Sequence, residues 1–232
     1  MVSNEQAGAE RVGLAYDREQ MYVARRLTFD AIDEIARQIR PGMREEEGVA
    51  AAKATLKQRG LLRGWHAVHV RFGRNTLLDY YDASEPGVVL AQNDIFYLDI
   101  GPVWEKWEGD GGDTFVVGND AEMHRARRDV HLLFDRVQAQ WRTESSSGAA
   151  LYEFAAAQAR ELGWLLNLKV AGHRIGDFPH KAHHSGSLAA TGFTPTSDLW
   201  VLEMQIRHPE RPFGAFYEDL LLETVPLTPS TG

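Results

Sequence analysis

Residues 98–118 have the sequence LDIGPVWEKWEGDGGDTFVVG. Two apolar runs flank a turn that contains Trp104 and Trp107, which is typical of a β-hairpin. Asp99 ends the first run, and Asp110 opens the second run eleven positions later. Because paired strands bring such residues together, both carboxylates can face one pocket. Two buried anions repel each other, so the pair indicates either a cation between them or two turn residues in water, and alone it favours neither.

The rest of the chain predicts one globular unit. Its 232 residues are 44% hydrophobic and 25% charged, which suits a single catalytic domain over 1–232 with loose ends at 1–16 and 226–232; two small domains are the alternative. Apolar spacing predicts helices and strands that alternate in blocks, and this order indicates an α+β fold of two similar halves. The predicted helices are 18–39, 45–59, 121–142 and 149–162, and the strands lie within 65–118 and at 168–171, 199–206 and 216–224.

Charge and composition exclude several partners. The net charge of −8 argues against a nucleic-acid surface, which gathers Lys and Arg on one face. Cysteine is absent, so His, Asp and Glu must hold any metal ion. The first residues lack the apolar core of a signal peptide, and no apolar run is long enough to span a bilayer. We therefore expect a soluble cytoplasmic protein with no membrane partner.

Three further polar residues interrupt apolar runs downstream. His173 follows a run of small residues in AGHRIG, Glu203 stands inside WVLEMQI, and Glu218 stands inside FYEDLLLET. A carboxylate left alone in an apolar strand costs several kcal/mol. A half-exposed strand with its polar side outward is the alternative, fair for Glu218 and Asp219 and weaker for Glu203. Asp, Asp, His, Glu and Glu in this order are the ligands expected of a two-metal hydrolase without cysteine.

On these residues the sequence resembles the pita-bread metallopeptidases, the family of methionine aminopeptidase, aminopeptidase P, prolidase and creatinase. The resemblance covers about residues 20–226 and implies a curved antiparallel sheet covered by helices, in two pseudo-symmetric halves. The matching motifs are Asp99-Ile-Gly101, Asp110 with the strand Thr114-Phe-Val-Val-Gly118, Gly172-His173-Arg-Ile-Gly176, Glu203, and Glu218-Asp219.

The resemblance also implies a role for each residue. Asp99 would hold one of two divalent ions, Mn, Co, Fe or Zn, while Asp110 and Glu218 would bridge both. His173 would bind one ion, and Glu203 would bind the other and transfer protons. A metal-bridged hydroxide would cleave the C–N bond of a small peptide or amide, with Xaa-Pro substrates first.

His180 falls where the family carries a second histidine that contacts the substrate, and we predict a catalytic role for it. The alternative is a loop histidine beside His183 and His184. The sequence leaves the native metal, the substrate and the subunit number open, with a homodimer among the assemblies to consider.

Several positions depart from the family pattern. Asp113 stands where many relatives have Arg, and Asp79-Tyr80 stands where prolidase-type relatives have His-Tyr. His66 and His69 could reach the site from a neighbouring strand, but strand alternation favours a solvent-facing position for both. Aromatic residues that could wall a rebuilt pocket, although each alone is more typical of a core, are Trp65, Trp104, Trp107, Tyr80 and Tyr81.

Two other functions fit the same fold. One is a non-peptidase pita-bread enzyme that cleaves a C–N bond in a small metabolite, as creatinase does. The other is a binding module that has lost catalysis. Such proteins usually lose metal ligands, so the five intact positions favour hydrolysis.

Overall fold

The computed structural model describes residues 3–177 and 184–223. Its helices are α1 (Asn4–Ala9), α2 (Arg18–Ala36), α3 (Glu45–Gln58), α4 (Ala121–Glu144) and α5 (Gly148–Glu161). Its strands are β1 (His69–Phe72), β2 (Asp94–Ile100), β3 (Val103–Trp104), β4 (Trp107–Glu108), β5 (Gly111–Val117), β6 (Leu165–Leu166), β7 (His173–Arg174), β8 (Trp200–Arg207) and β9 (Gly214–Leu220). Two short 3-10 turns lie at Gly73–Leu77 and Leu188–Ala190.

Side-chain caps fix where the long helices begin. Asp17 accepts a hydrogen bond from the backbone N–H of Glu19 at the start of α2. Asp120 accepts from the N–H groups of Glu122 and Met123 at the start of α4. Each cap satisfies donors that the first helical turn leaves unpaired. Among the described residues, none of these helices combines the length and the apolarity that membrane crossing requires.

One antiparallel sheet runs through both halves of the chain. Its strand order is β1-β2-β5-β9-β8-β6, and β7 pairs with β8. Helices α2 and α3 pack on β1, β2 and β5, while α4 packs on β8 and β9 and α5 on β6. The halves meet where Gly112 of β5 pairs with Glu218 of β9. This arrangement confirms the predicted α+β fold.

Strand alternation separates a helix-covered face from an open face. Leu98 and Ile100 of β2 pack in the cluster that contains the buried residues of α2 and α3. Leu202 of β8 packs in the cluster that contains those of α4 and α5. Asp99 and Glu203, one position away, line a cavity on the opposite face, because successive side chains of a strand point to opposite sides.

The expected loose N-terminal end is wrong for residues 3–16. Ala9 at the end of α1 belongs to a buried cluster, and Glu10 accepts a hydrogen bond of 2.9 Å from the indole of Trp200. The guanidinium of Arg174, which is 1% exposed, donates to the carbonyls of Ala9 and Arg11. A buried guanidinium needs acceptors, and the N-terminal backbone supplies them. The expected loose end at 226–232 lies outside the described residues.

The strand predicted at 168–171 is also wrong. The strands lie on either side, as β6 and β7, and a turn closed by the Val170 N–H on the Asn167 carbonyl occupies the predicted stretch. Asn167 is tied to the neighbouring strand, because its backbone N–H donates to the carbonyl of Gln205 and its side-chain amide donates to that residue's side-chain oxygen. The apolar residues within 168–171 resemble those of a strand, but Asn167 directly before them forms a turn.

Thr114 joins the two halves by hydrogen bonds. Its fully buried hydroxyl donates to the carbonyl of Phe216 and accepts from the N–H of the same residue, both at 2.7 Å. Thr114→Val keeps the shape but orphans both groups, so we expect it to lower the free energy of unfolding by about 2–4 kcal/mol, measured by urea denaturation. Thr143→Val on the exposed face of α4 is the control and should change it by less than about 0.5 kcal/mol. Equal effects of the two variants would contradict the bridging role of Thr114.

Candidate metal centre

Three of the predicted acids lie in one row across the sheet. Asp99 of β2 pairs with Gly112 of β5, Gly112 pairs with Glu218 of β9, and Glu218 pairs with Glu203 of β8. Directly paired residues of an antiparallel sheet share a face and have Cβ atoms about 4.5–5.5 Å apart. The sheet register therefore brings carboxylates from both halves of the sequence to one place.

Asp110 and His173 meet beside this row. Asp110, which is 1% exposed, directly precedes β5, and its Oδ2 lies 2.9 Å from Nε2 of His173. The same Nε2 is 3.5 Å from Oε1 of Glu203. The other ring nitrogen, Nδ1, lies 2.9 Å from the carbonyl of Arg174. Because a carbonyl only accepts, Nδ1 donates there, and Nε2 is held toward the carboxylates.

The crowding perturbs the titration of the cluster. Burial, opposed by His66 and reinforced by Asp110, raises the pKa of Asp99 to about 6. Burial, opposed by His173 and reinforced by Asp110, raises the pKa of Glu203 to about 7. Burial and the charges of Asp110 and Asp99 hold the pKa of Glu218 well above its ordinary value.

The pKa of His173 is raised, so its ring keeps the positive charge that balances the nearby carboxylates. Burial lowers the pKa of His173, but its hydrogen bond to Asp110 and the charges of Asp110 and Glu203 raise it to about 10. Without a metal ion, protons retained on the carboxyl groups and on His173 therefore reduce the repulsion within the cluster.

These residues fit a divalent cation. Oδ1 of Asp99 and Oε1 of Glu218 are buried, and among the described residues no N–H or hydroxyl group donates to them; Asp99 and Glu218 can hydrogen-bond to each other only while one of the two carboxyl groups keeps its proton. Buried carboxylate oxygens without donors are costly, whereas they are the ligands that hard divalent ions take. The imidazole of His173 adds a nitrogen donor, so the whole set of carboxylates and imidazole suits an ion of the Mn, Fe, Co or Zn group.

The structure adds His66 to this cluster. Its side chain is 8% exposed, and its Nε2 lies 3.6 Å from Oδ1 of Asp99 and 3.8 Å from Oδ1 of Asp110. These three residues form the one group in the described chain whose possible ligand atoms all lie within 4.8 Å of one another. The solvent-facing position expected for His66 is therefore wrong, because the residue precedes β1 and strand alternation does not govern it.

His69 also points inward rather than to solvent. It opens β1 opposite Asp99 and stacks edge-on against Tyr80, with ring centroids 4.9 Å apart. Burial, together with the charges of Arg71 and His66, lowers the pKa of His69 to about 3. His69 is consequently neutral at physiological pH and packs behind the cluster.

A cavity of about 220 Å³ opens above the carboxylate row. Its wall contains three of the predicted aromatic residues, Trp65, Tyr80 and Tyr81. Trp107 is instead a core residue, 3% exposed. Trp104 packs against the core clusters and does not line this cavity. The remaining lining residues are His66, Leu78, Tyr97, Asp99, Lys169–His173, His184–Ser187, Glu203, Gln205, Phe216 and Glu218.

Three other acids of the motif regions make contacts of their own: Asp113 and Asp79, which depart from the family pattern, and Asp219, which follows it. Asp113 points to α4, where its Oδ1 lies 2.7 Å from Nε2 of His131. Asp79 is buried near the cavity, 3.5 Å from the ammonium of Lys169. Asp219 is 4% exposed and pairs with Arg25 at 2.6 Å. The alternative of a solvent-facing Glu218-Asp219 is therefore wrong, because both side chains are buried.

Of the two histidines His180 and His184, the structure describes only the second. His180 lies outside the described residues, so its catalytic role stays a prediction. His184 lines the cavity and stacks edge-on against Trp200 at 5.4 Å, a position that the sequence did not reveal. Neither His66 nor His184 lies in a periodic element, so no spacing pattern marked them.

Comparisons with known proteins define the class of protein that this fold and cluster represent. The profile described as Metallopeptidase family M24 matches residues 19–224. The chain belongs to this family, whose members are metallopeptidase-like hydrolases with the pita-bread fold. No protein of the curated set matches the sequence.

Solved structures share the fold at low identity. The X-Pro aminopeptidase of Thermotoga maritima is 21% identical with a TM-score of 0.69, and the match covers 90% of this chain and 61% of that one. The prolidase of Pyrococcus horikoshii is 17% identical with a TM-score of 0.66, covering 87% and 57%. The methionine aminopeptidase of Thermotoga maritima is 15% identical with a TM-score of 0.69, covering 92% and 96%. The chain thus spans about three fifths of the first two proteins and nearly all of the third.

The raised pKa values predict how the metal-free protein responds to pH. Folding raises the pKa of Asp99 from 3.8 to about 6 and that of Glu203 from 4.5 to about 7. Between pH 4 and 7 the native state therefore binds more protons than the unfolded state, so the free energy of unfolding falls as pH rises. His173, raised from 6.5 to about 10, extends the fall above pH 6.5.

Urea denaturation of chelator-treated protein at pH 5 and pH 8 measures this effect. We expect lower stability at pH 8, and a smaller difference between the two pH values in Glu203→Gln, which has one fewer carboxyl to ionise. A free energy of unfolding that rises between these pH values would contradict the clustering of the acids.

Proposed function

We propose that the protein is a dinuclear metal-dependent hydrolase that cleaves a C–N amide bond in a small peptide-like substrate, of the Xaa-Pro dipeptidase or aminopeptidase type. The observation that carries this proposal is the meeting of Asp99, Glu218 and Glu203 in one cross-strand row, with the Asp110–His173 pair beside it. The row lines a cavity large enough for a small ligand.

We assign the metal sites to the residues of this cluster. Asp99, Asp110, His173, Glu203 and Glu218 would hold two divalent ions of the Mn, Co, Fe or Zn group. When bound, such ions polarise a substrate carbonyl and lower the pKa of a water molecule, which supplies a nucleophile at neutral pH. The acids would then lose the protons that they carry in the metal-free protein, since metal ligation requires the ionised form.

Glu203 is our assignment for proton transfer. It stands at the end of the carboxylate row, lines the cavity, and lies 3.5 Å from His173. From there its carboxylate can accept a proton from the attacking water and deliver it to the leaving amine. His180 is assigned to the substrate side on the family resemblance, since it lies outside the described residues.

The cavity supports a short, partly apolar substrate. Its volume of about 220 Å³ is below the range of about 300–1,000 Å³ that is usual for drug-sized ligands. The rings of Tyr97 and Phe216 lie on one wall with their centroids 5.0 Å apart and their planes tilted by 38°, and Tyr80 also lines the cavity. An apolar wall of this kind suits a compact ring such as that of proline. Two of the structural neighbours are an X-Pro aminopeptidase and a prolidase, which agrees with this substrate class.

Removing one carboxylate of the cluster tests the metal centre. Asp110→Ala and Glu218→Ala should each abolish metal uptake, measured by elemental analysis after reconstitution with Mn or Co, and should abolish hydrolysis. In chelator-containing buffer both variants should stay folded, because like-charge repulsion is relieved. Glu218→Ala should unfold at the same or a higher urea concentration than the unmodified protein, whereas Asp110→Ala should gain less, because it also removes the partner of His173. Asp33→Ala, an exposed acid of α2, is the control and should retain metal and activity.

Two results would contradict this assignment. Unfolding of Asp110→Ala or Glu218→Ala in metal-free buffer would make these acids structural. An unmodified protein that takes up no metal after reconstitution would favour the non-catalytic binding module.

A substrate screen tests the reaction class and His180. We expect Mn- or Co-loaded protein to hydrolyse Xaa-Pro dipeptides faster than methionyl peptides or simple amides, measured by release of the free amine. His180→Ala should keep the metal content and lower turnover. Preferential cleavage of a non-peptide amide would instead support the metabolite enzyme, and unchanged turnover would make His180 an ordinary loop residue.

A further inference from the structure

The imidazole of His66 lies between two carboxylates that we assign to the metal centre, although the resemblance gives this position no role. We propose that His66 is an additional metal ligand, which joins Asp99 and Asp110 and makes the centre richer in nitrogen than the five predicted ligands alone. This inference rests on the proposed metal-dependent function and extends it to a residue outside the predicted set.

The distances around Nε2 of His66 are those of ligands that share an ion. At 3.6 Å from Asp99 and 3.8 Å from Asp110, the nitrogen is too far from either oxygen for a hydrogen bond. Donor atoms that each lie about 2.0–2.2 Å from one ion are at most about 4.4 Å apart, so the observed spacing leaves room for an ion between them. Both oxygens belong to acids already assigned to the metal.

Aromatic rings surround this imidazole, but in the described part of the chain they do not pair its polar atoms. Its side chain is 8% exposed, and Nδ1 is buried without a hydrogen-bond partner among residues 3–177 and 184–223. A buried polar group without a partner costs about 1–3 kcal/mol. Ligation to a cation through Nε2 would leave Nδ1 unpaired but would supply a favourable interaction against the cost of burying the ring.

Gly101 leaves the space that the ring occupies. A Cβ at Gly101 would lie 2.6 Å from Cγ of His66 and 2.7 Å from its Cβ, closer than atoms approach in real proteins. Trp65 and Tyr80 enclose the ring, with centroids 5.2 and 5.0 Å away. The glycine that follows Asp99 in the strand-end motif therefore admits His66 to the cluster.

A second imidazole changes which metals the centre favours. With His66, two nitrogen donors stand among four carboxylates, Asp99, Asp110, Glu203 and Glu218. Imidazole suits Co and Zn, whereas carboxylate oxygen suits Mn and Mg. His66 should thus raise the affinity for Co and Zn more than the affinity for Mn.

Metal titration of His66→Gln tests the assignment without using activity. We expect the affinity for Co and Zn, measured by calorimetry, to fall by about tenfold or more, and the affinity for Mn to fall less. The visible absorption of bound Co should change in position and intensity as a nitrogen ligand is lost. His124→Gln on α4, whose ring contacts the carbonyl of Gly118, is the matched control and should leave affinity and spectrum unchanged.

Gly101→Ala provides a second variant that keeps His66 in the chain. The added methyl group should displace the ring and reproduce both the loss of Co affinity and the spectral change. If the Co affinity and the Co spectrum stay unchanged in both His66→Gln and Gly101→Ala, the inference is overturned and the proposed function stays intact. The same conclusion follows if the two variants raise only the KM for substrate, because His66 would then contact substrate rather than metal. An unmodified protein that binds none of Mn, Co and Zn would overturn both the inference and the proposed function.

Discussion

Mutual repulsion of carboxylates is the constraint on which the site depends. Asp99, Asp110, Glu203 and Glu218 are brought together in a buried place, and the positive partners that the structure describes beside them are the imidazoles of His66 and His173. Four ionised carboxylates in such surroundings would be very unfavourable. The metal-free protein must retain protons there, whereas a divalent cation lets the same groups ionise together. The same repulsion between carboxylates therefore affects both the stability of the metal-free fold and the affinity of the site for a divalent cation.

Packing on the helix-covered side of the sheet holds the strands that carry these acids in place. Apolar residues of the two sheet halves pack under α2 and α3 and under α4. Directly behind Glu218, the next residue of β9, Asp219, forms a buried ion pair with Arg25 of α2. Alternating residues of one strand therefore place a structural carboxylate on the helix side and a candidate ligand on the cavity side. The strand register, fixed by the core, sets the spacing of the acids.

Much of the fold and part of the cluster could be predicted because polar residues inside apolar runs are conspicuous. Asp99, Glu203 and Glu218 each interrupt such a run, and the structure brings them into a single row. His66 lies in a loop before β1, where no period distinguishes an inward side chain from an outward one. Its approach depends on the absence of a side chain at a residue thirty-five positions later, Gly101, which no local pattern encodes.

The docked N-terminal segment has a consequence for the far half of the site. Backbone carbonyls of Ala9 and Arg11 receive the guanidinium of Arg174, and the N–H of Gly13 donates to Asp177. Arg174 is the neighbour of His173, and its carbonyl orients that imidazole. The N-terminal residues consequently hold β7 in position. Deleting residues from this segment, or joining another protein to it, would therefore change the orientation of His173, more than one hundred and sixty residues away.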